Sequence, residues 1–169
     1  YIWSPLGWER TSRKYYSDLH KLYRDNIDLF KIAYKVEDTL FTHAGVCKGW
    51  VNYMNKLFPD NKITEENIVN YLEKEYLSEL KYDKVPYQSF WESSLESEIF
   101  CVGRSRGGSA MYGGPIWCDF HEDFRQPDGW KTYQIFGHTQ REFTGSIGEK
   151  PGGVCIDSRA IFEYYPEIH

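Results

Sequence analysis

Apolar and polar positions follow two different periods along the chain, and together these periods predict both strands and helices. Residues 29–36 alternate between apolar and polar side chains, which predicts a strand with one exposed face. The turn at Glu37 and Asp38 leads into a second strand, Thr39 to His43, and this hairpin brings His43 to an edge of the sheet. Short apolar runs predict further strands, the last two paired as a hairpin, at residues 99–102, 133–136, 154–156 and 160–164.

Helical spacing of apolar residues appears in three segments of the chain. Residues 11–24 place Tyr and Leu side chains on one helical face. A short helix is expected before Pro59, because proline cannot continue a helix. The clearest helix opens at residues 64–66 and repeats an apolar residue at every fourth position from Ile68. Residues 46–100 therefore form a predicted helical insertion between strands, which either packs as a layer or shapes substrate access.

Composition narrows the class of protein. A length of 169 residues is enough for one domain with a hydrophobic core, and 18% aromatic residues favour a globular fold that buries large rings. No apolar run is long enough to span a membrane, and a net charge of -5 gives no basic surface for nucleic acid. The cysteines lack the close Cys-x-x-Cys spacing of a zinc site, so we expect reduced thiols in a cytoplasmic protein.

Two histidines stand where short apolar strands end in glycine-containing sequence. His43 lies in the segment from Leu40 to Val46, and His138 follows Gly137 after the run at residues 133–136. A neutral imidazole is a preferred ligand of zinc, manganese and iron. The pattern therefore suits metal ligation at both histidines. We predict that the two residues converge in space, with their coordinating nitrogens roughly 3–4 Å apart when metal is bound.

The same segments resemble two motifs of the calcineurin-like metallophosphoesterases, most closely the phosphoprotein phosphatase and diadenosine tetraphosphate hydrolase branches. Residues 43–45 (His-Ala-Gly) are similar to the fourth motif of that family, and residues 137–138 (Gly-His) to the fifth. Residues 152–158 resemble the Ile-Asp-Thr-Gly segment that often follows, although Arg159 replaces its glycine. The three earlier motifs, which carry Gly-Asp and Asn-His pairs, have no counterpart in the sequence.

The resemblance implies an α/β fold, namely the C-terminal part of an αββα sandwich with mixed β-sheets. Residues 1–169 would then be the C-terminal portion of one phosphoesterase domain, inactive on its own. The implied function is metal-dependent hydrolysis of a phosphoprotein or a small phosphoester, of the serine/threonine phosphatase type.

The implied cofactors are two divalent metal ions (Mn, Fe or Zn), one of them held by His43 and His138. Gln140 stands where some relatives carry a second histidine for the other metal, which favours the phosphoprotein phosphatase-like branch. The family's general acid belongs to an absent motif, so no catalytic residue is assigned in this chain.

A glycine-rich segment, residues 103–108, carries the candidate phosphate ligands Arg104 and Arg106. Arginine suits a phosphoryl group because its planar fork donates two parallel charged hydrogen bonds. Arg106 is slightly favoured over Arg104 as the phosphate ligand, because the glycines that follow it let the backbone approach an anion closely. The alternative is an exposed loop that does not bind phosphate. Asp119, in a segment that resembles the family's Leu-Trp-Ser/Ala-Asp, and Asp157 are expected to orient site side chains by hydrogen bonding rather than to bind metal.

The sequence is also compatible with two other functions. Ser105 lies in a Gly-x-Ser-x-Gly pattern, and Asp119 or Asp128 and then His138 follow it in the order of α/β-hydrolases. The glycines that follow Ser105 oppose the helix which such a nucleophile requires. The third reading is a non-catalytic interaction domain with a phosphatase-like fold.

Overall fold

The computed structural model describes residues 25–81, 97–121, 123–140 and 148–157, together with residues 18, 21 and 22. The strands are β1 (Ala33–Val36), β2 (Thr39–Thr42), β3 (Tyr133–Phe136), β4 (Gly148–Lys150) and β5 (Gly153–Cys155). The α-helices are α1 (Lys48–Leu57) and α2 (Ile68–Lys81). Short 3-10 turns cover Ile27–Leu29, Glu98–Phe100 and Arg104–Arg106.

The strands form one mixed sheet in the order β1-β2-β3-β5-β4. The three central strands β2, β3 and β5 are parallel, and the outer strands β1 and β4 pair antiparallel with their neighbours. Parallel pairing requires a crossover connection, and both α-helices lie in the crossover between β2 and β3. The carboxyl ends of the three central strands therefore meet at one edge of the sheet.

One face of the central strands contributes to the core. Leu40, Phe136 and Cys155 are buried there, each with about 1% or less of its surface exposed. Helix α1 buries Trp50, Val51 and Met54, and α2 adds Ile68 and Leu72. Each large apolar side chain removed from water contributes about 1.5–3 kcal/mol to the free energy of unfolding. No helix within the described ranges has both the length and the apolar character needed to cross a membrane.

The mixed α/β class expected from the sequence is confirmed, and both helices after His43 are present. Helix α1 begins after Cys47, whose Sγ accepts a hydrogen bond from Trp50 N at 3.5 Å. Helix α2 begins later than its pattern predicts, at Ile68, because a hydrogen-bonded turn precedes it. In that turn Asn67 N donates to Thr64 Oγ1 and Thr64 N donates to Asn67 Oδ1.

Two strand predictions need correction. The strand predicted at residues 99–102 is wrong, because Phe100 N and Cys101 N donate to carbonyls of the same short turn rather than to a sheet. The first strand is shorter than residues 29–36, because residues 27–29 form a 3-10 turn before it. β5 does form a hairpin, but its described partner is β4. The predicted partner at residues 160–164, and almost all of the helix predicted at 11–24, lie outside the described residues.

A buried amide joins β3 to the chain that follows His43. Gln134 has no exposed surface, and its Oε1 accepts a hydrogen bond from Val46 N at 2.8 Å. Its Nε2 donates to Val46 O at 3.1 Å and to Gln126 Oε1 at 2.8 Å. The Gln134 side chain therefore forms hydrogen bonds with both the N–H and the C=O of Val46, which are buried away from water.

Replacing Gln134 with methionine keeps the volume of the side chain and leaves both backbone groups of Val46 unpaired. Each buried group without a partner costs about 1–3 kcal/mol, so we expect the free energy of unfolding to fall by roughly 2 kcal/mol or more. Urea denaturation measures this, with Asn52→Leu as the control because Asn52 is exposed on α1. Equal effects of the two substitutions would contradict the role of Gln134.

Candidate functional site

An open cleft lies where the three central strands end. His43 directly follows β2, His138 follows β3 after Gly137, and Asp157 follows β5 after Ile156. These residues line the cleft, of about 360 Å³, with Phe41, Thr42, Ile135 and Phe136. Ligands of open α/β sheets bind at this kind of edge, outside the carboxyl ends of the strands.

The two histidines meet across the cleft. His43 Nε2 lies 3.1 Å from His138 Nδ1, and the ring centroids are 4.9 Å apart. The backbone also joins the two segments, because Gly137 N donates to His43 O at 2.8 Å. The sequence-based prediction that these residues converge therefore agrees with the structure.

The separation of the two nitrogens limits what can lie between them. The lone pairs of two unprotonated ring nitrogens would repel each other at 3.1 Å. A proton or a cation must therefore lie between His43 Nε2 and His138 Nδ1. An N–H···N hydrogen bond spans about 3 Å. Two nitrogens bound to one ion at about 2.1 Å lie roughly 3–3.5 Å apart, so the same geometry suits a metal ion.

The small residues that follow His43 are required by a sharp turn of the chain. Gly45 has a φ of +92°, and a Cβ there would lie 3.1 Å from Phe124 Cδ2 and 3.2 Å from Phe136 Cδ1. Ala44 has no exposed surface, and its N donates to Pro115 O at 2.9 Å. The His-Ala-Gly sequence therefore turns the chain against two buried aromatic rings, and this fixes where His43 stands.

His138 itself adopts the left-handed backbone conformation, with a φ of 70°. This conformation costs a residue with a Cβ about 1–2 kcal/mol. The neighbouring glycine is not the strained position, because a Cβ at Gly137 would find its nearest neighbour at 3.5 Å. Trp117 packs edge-on against the His138 ring, with centroids 5.0 Å apart. The strain therefore falls on the candidate ligand.

The two predicted phosphate ligands have different surroundings. Arg104 is exposed on the 3-10 turn. The Nη2 of Arg106 donates to Thr139 Oγ1 at 2.6 Å and to His138 O at 3.4 Å, and its Nε lies 3.0 Å from Asp119 Oδ2. Asp119 therefore pairs with an arginine, which is one of the two roles expected for it. Asp157 lines the cleft with the histidines.

Ser105 has an acidic partner. Its Oγ donates to Asp123 Oδ2 at 2.7 Å. The turn that carries it ends at Gly107, whose φ of 80° is left-handed, so a helix does not follow Ser105 directly. Asp128, the other acidic candidate of the serine hydrolase reading, pairs with Lys48 at 2.7 Å.

Burial lowers the pKa of both histidines. For His43 the negative charge of Asp157 opposes this effect. For His138 burial, His43 and Arg106 together lower the pKa to about 4, although Asp119 acts in the opposite direction. Both imidazoles are therefore neutral near pH 7, which is the form that binds metal.

The donor set suits a transition metal and is incomplete. Two neutral imidazole nitrogens fit zinc, manganese or iron. The buried Nε2 of His138 has no hydrogen-bond partner among the described residues, and a proton on this atom leaves the Nδ1 lone pair facing His43. In the part of the chain that the structure describes, no group of three or more His, Cys, Asp or Glu side chains is placed to hold an ion.

Sequence reasoning did not single out Gln134 or Thr139. Gln134 carries a signal, because an amide in an otherwise apolar strand is unusual and needs buried partners. Thr139 follows the candidate ligand directly, but its contact with Arg106 joins residues far apart in the chain. Nothing in the local pattern predicts that contact.

Comparison of the chain with known proteins found no match: no family model matches it, and no curated protein or solved structure does either. The resemblance to metallophosphoesterases therefore stays a prediction, which depends on the motifs and the geometry alone.

The lowered pKa of His138 makes stability depend on pH. Its ordinary pKa is 6.5, so between pH 6.5 and about 4 the unfolded chain binds a proton that the folded chain does not. The folded state must therefore lose stability as the pH falls through this range. We expect the unfolding free energy of the protein, minus that of His138→Asn, to decrease from pH 7 to pH 4.5. Asparagine is the variant of choice because it tolerates a positive φ. A difference that stays constant or increases contradicts the burial of a neutral imidazole.

Proposed function

We propose that this chain is the C-terminal part of a calcineurin-like metallophosphoesterase domain, an αββα sandwich that hydrolyses phosphoesters. The observation that carries the proposal is the 3.1 Å approach of His43 Nε2 to His138 Nδ1 at the ends of adjacent parallel strands. Each histidine stands in the small-residue context that resembles its motif. A phosphatase of the serine/threonine type is the favoured class. The cysteine spacing and the mildly acidic net charge of the chain favour a cytoplasmic protein.

In this proposal His43 and His138 hold one of two divalent ions (Mn, Fe or Zn). The other ligands belong to motifs that this sequence does not contain. When bound, such a pair of ions clamps a phosphoryl group and lowers the pKa of a water molecule. His43 contributes the Nε2 lone pair and His138 the Nδ1 lone pair, while the charge of Asp157 acts on His43 from the same cleft.

The substrate is a phosphoprotein or a small phosphoester. Arg104 is exposed on the turn at residues 104–106, so its guanidinium is accessible to an anion. The donors of Arg106 are partly committed to Thr139 and His138. Of the two arginines that the sequence offers for phosphate, Arg104 therefore has the freer side chain.

A second candidate function is a non-catalytic interaction domain of the same fold. The observation that favours an interaction domain is the small number of metal ligands, because the described residues bring only two imidazoles together. A dinuclear site needs a bridging carboxylate and further ligands. Metal binding by the complete protein separates the two candidates.

The test of the proposal is chelator-sensitive hydrolysis of p-nitrophenyl phosphate in the presence of Mn²⁺. We expect the protein with its N-terminal motifs to turn over, and residues 1–169 alone to be inactive because they lack the bridging ligands. His43→Ala and His138→Ala should each weaken Mn²⁺ binding at least about tenfold. His121→Ala is the matched control, since His121 is exposed outside the cleft. Robust chelator-sensitive turnover by residues 1–169 would falsify this assignment of the site.

A further inference from the structure

Arg106 contacts the segment that carries His138 and does not belong to the described lining of the cleft. Its Nη2 donates to the carbonyl of His138 and to the hydroxyl of the next residue, Thr139. Two consecutive residues are thus held by one guanidinium group. An arginine that binds substrate phosphate directly would instead project its donors into the cleft.

The other side of the guanidinium is anchored to a second segment. Arg106 Nε lies 3.0 Å from Asp119 Oδ2, and the two side chains are only 25% and 13% exposed. Asp119 Oδ1 also accepts from His121 N at 2.8 Å, and Phe120 N donates to Thr139 Oγ1 at 3.1 Å. Asp119 and Thr139 therefore hold Arg106 from two directions, and the backbone N–H groups of His121 and Phe120 hold these two side chains in turn.

The backbone of His138 needs such support. A φ of 70° at a residue with a Cβ persists only where surrounding contacts determine it. Arg106 contacts the carbonyl of His138 at 3.4 Å and the hydroxyl of the next residue, Thr139, at 2.6 Å. These contacts therefore hold the backbone from which the His138 ring projects, and Trp117 packs edge-on against the ring itself.

We propose that Arg106 is a positioning residue, which locks His138 in its left-handed conformation so that Nδ1 faces His43. The inference rests on the proposed metal-binding function of the two histidines. Arginine is required because its planar fork reaches a carboxylate on one side and a hydroxyl and a carbonyl on the other. The single ammonium of lysine reaches only one of these sides.

The experiment measures two affinities for the purified protein by calorimetry, that for Mn²⁺ alone and that of the Mn²⁺-loaded protein for inorganic phosphate. For Arg106→Gln we expect Mn²⁺ binding to weaken by about 10–100-fold, as when a group that orients a metal ligand is removed. Phosphate binding to the metal-loaded protein should change much less. Arg125→Gln is the matched control, because Arg125 is exposed and lies outside this network.

A second pair of variants keeps the proposal testable where Arg106→Gln impairs folding. Thr139→Val removes the hydroxyl at constant size and leaves the ion pair between Arg106 and Asp119 in place. We expect it to weaken Mn²⁺ binding as well, and Thr139→Ser to restore that binding because the hydroxyl returns. A general loss of packing would not be rescued by the smaller serine.

Two results overturn the inference. The first is unchanged Mn²⁺ affinity in Arg106→Gln and Thr139→Val. The second is weaker phosphate binding by Arg106→Gln at unchanged Mn²⁺ affinity, which would make Arg106 a phosphate ligand. If His43→Ala and His138→Ala also leave Mn²⁺ binding intact, the proposed function itself fails; if they abolish it, only the role of Arg106 is rejected.

Discussion

The parallel pairing of β2 with β3 determines where both histidines lie. In this register Leu40 pairs with Gln134, and the hydrogen bond from Gly137 N to His43 O continues the contact beyond the strand ends. A slip by one residue would turn the side chains of a strand to the opposite face of the sheet. Leu40, Gln134 and Phe136 are buried on one face, so such a slip would expose them. The hydrophobic core thus holds the register, and the register holds the site.

The site places several costly features around that edge. His138 has a strained φ, Gln134 is a fully buried amide, and the Arg106–Asp119 ion pair is largely removed from water. The strained φ destabilises the fold directly, whereas the buried amide and the ion pair do so only where their polar atoms lack partners. Their concentration around two imidazoles is typical of functional sites, where local strain is retained and offset by the surrounding packing.

Local periodicity predicted what depends on local sequence. It predicted β2, β3 and α1, and the histidines after the two strands, because alternation and small residues carry that information. It failed at residues 99–102, where the start of the apolar run belongs to a 3-10 turn, because its N–H groups donate to the preceding carbonyls of Ser97 and Glu98. Local periodicity also did not predict the contacts among Arg106, Asp119 and Thr139. The sequence indicated only that Asp119 orients another side chain. Those contacts join segments distant in the chain, so no short pattern specifies them.

The proposed metal site requires that His43 and His138 bind the same ion. X-ray absorption at the zinc edge, on protein loaded with one equivalent of Zn²⁺, measures the ligands of that ion. We expect two imidazole nitrogens at about 2.0–2.1 Å, and the loss of one of them in each of His43→Ala and His138→Ala. A spectrum that both substitutions leave unchanged, or one dominated by cysteine sulfur, would contradict this requirement.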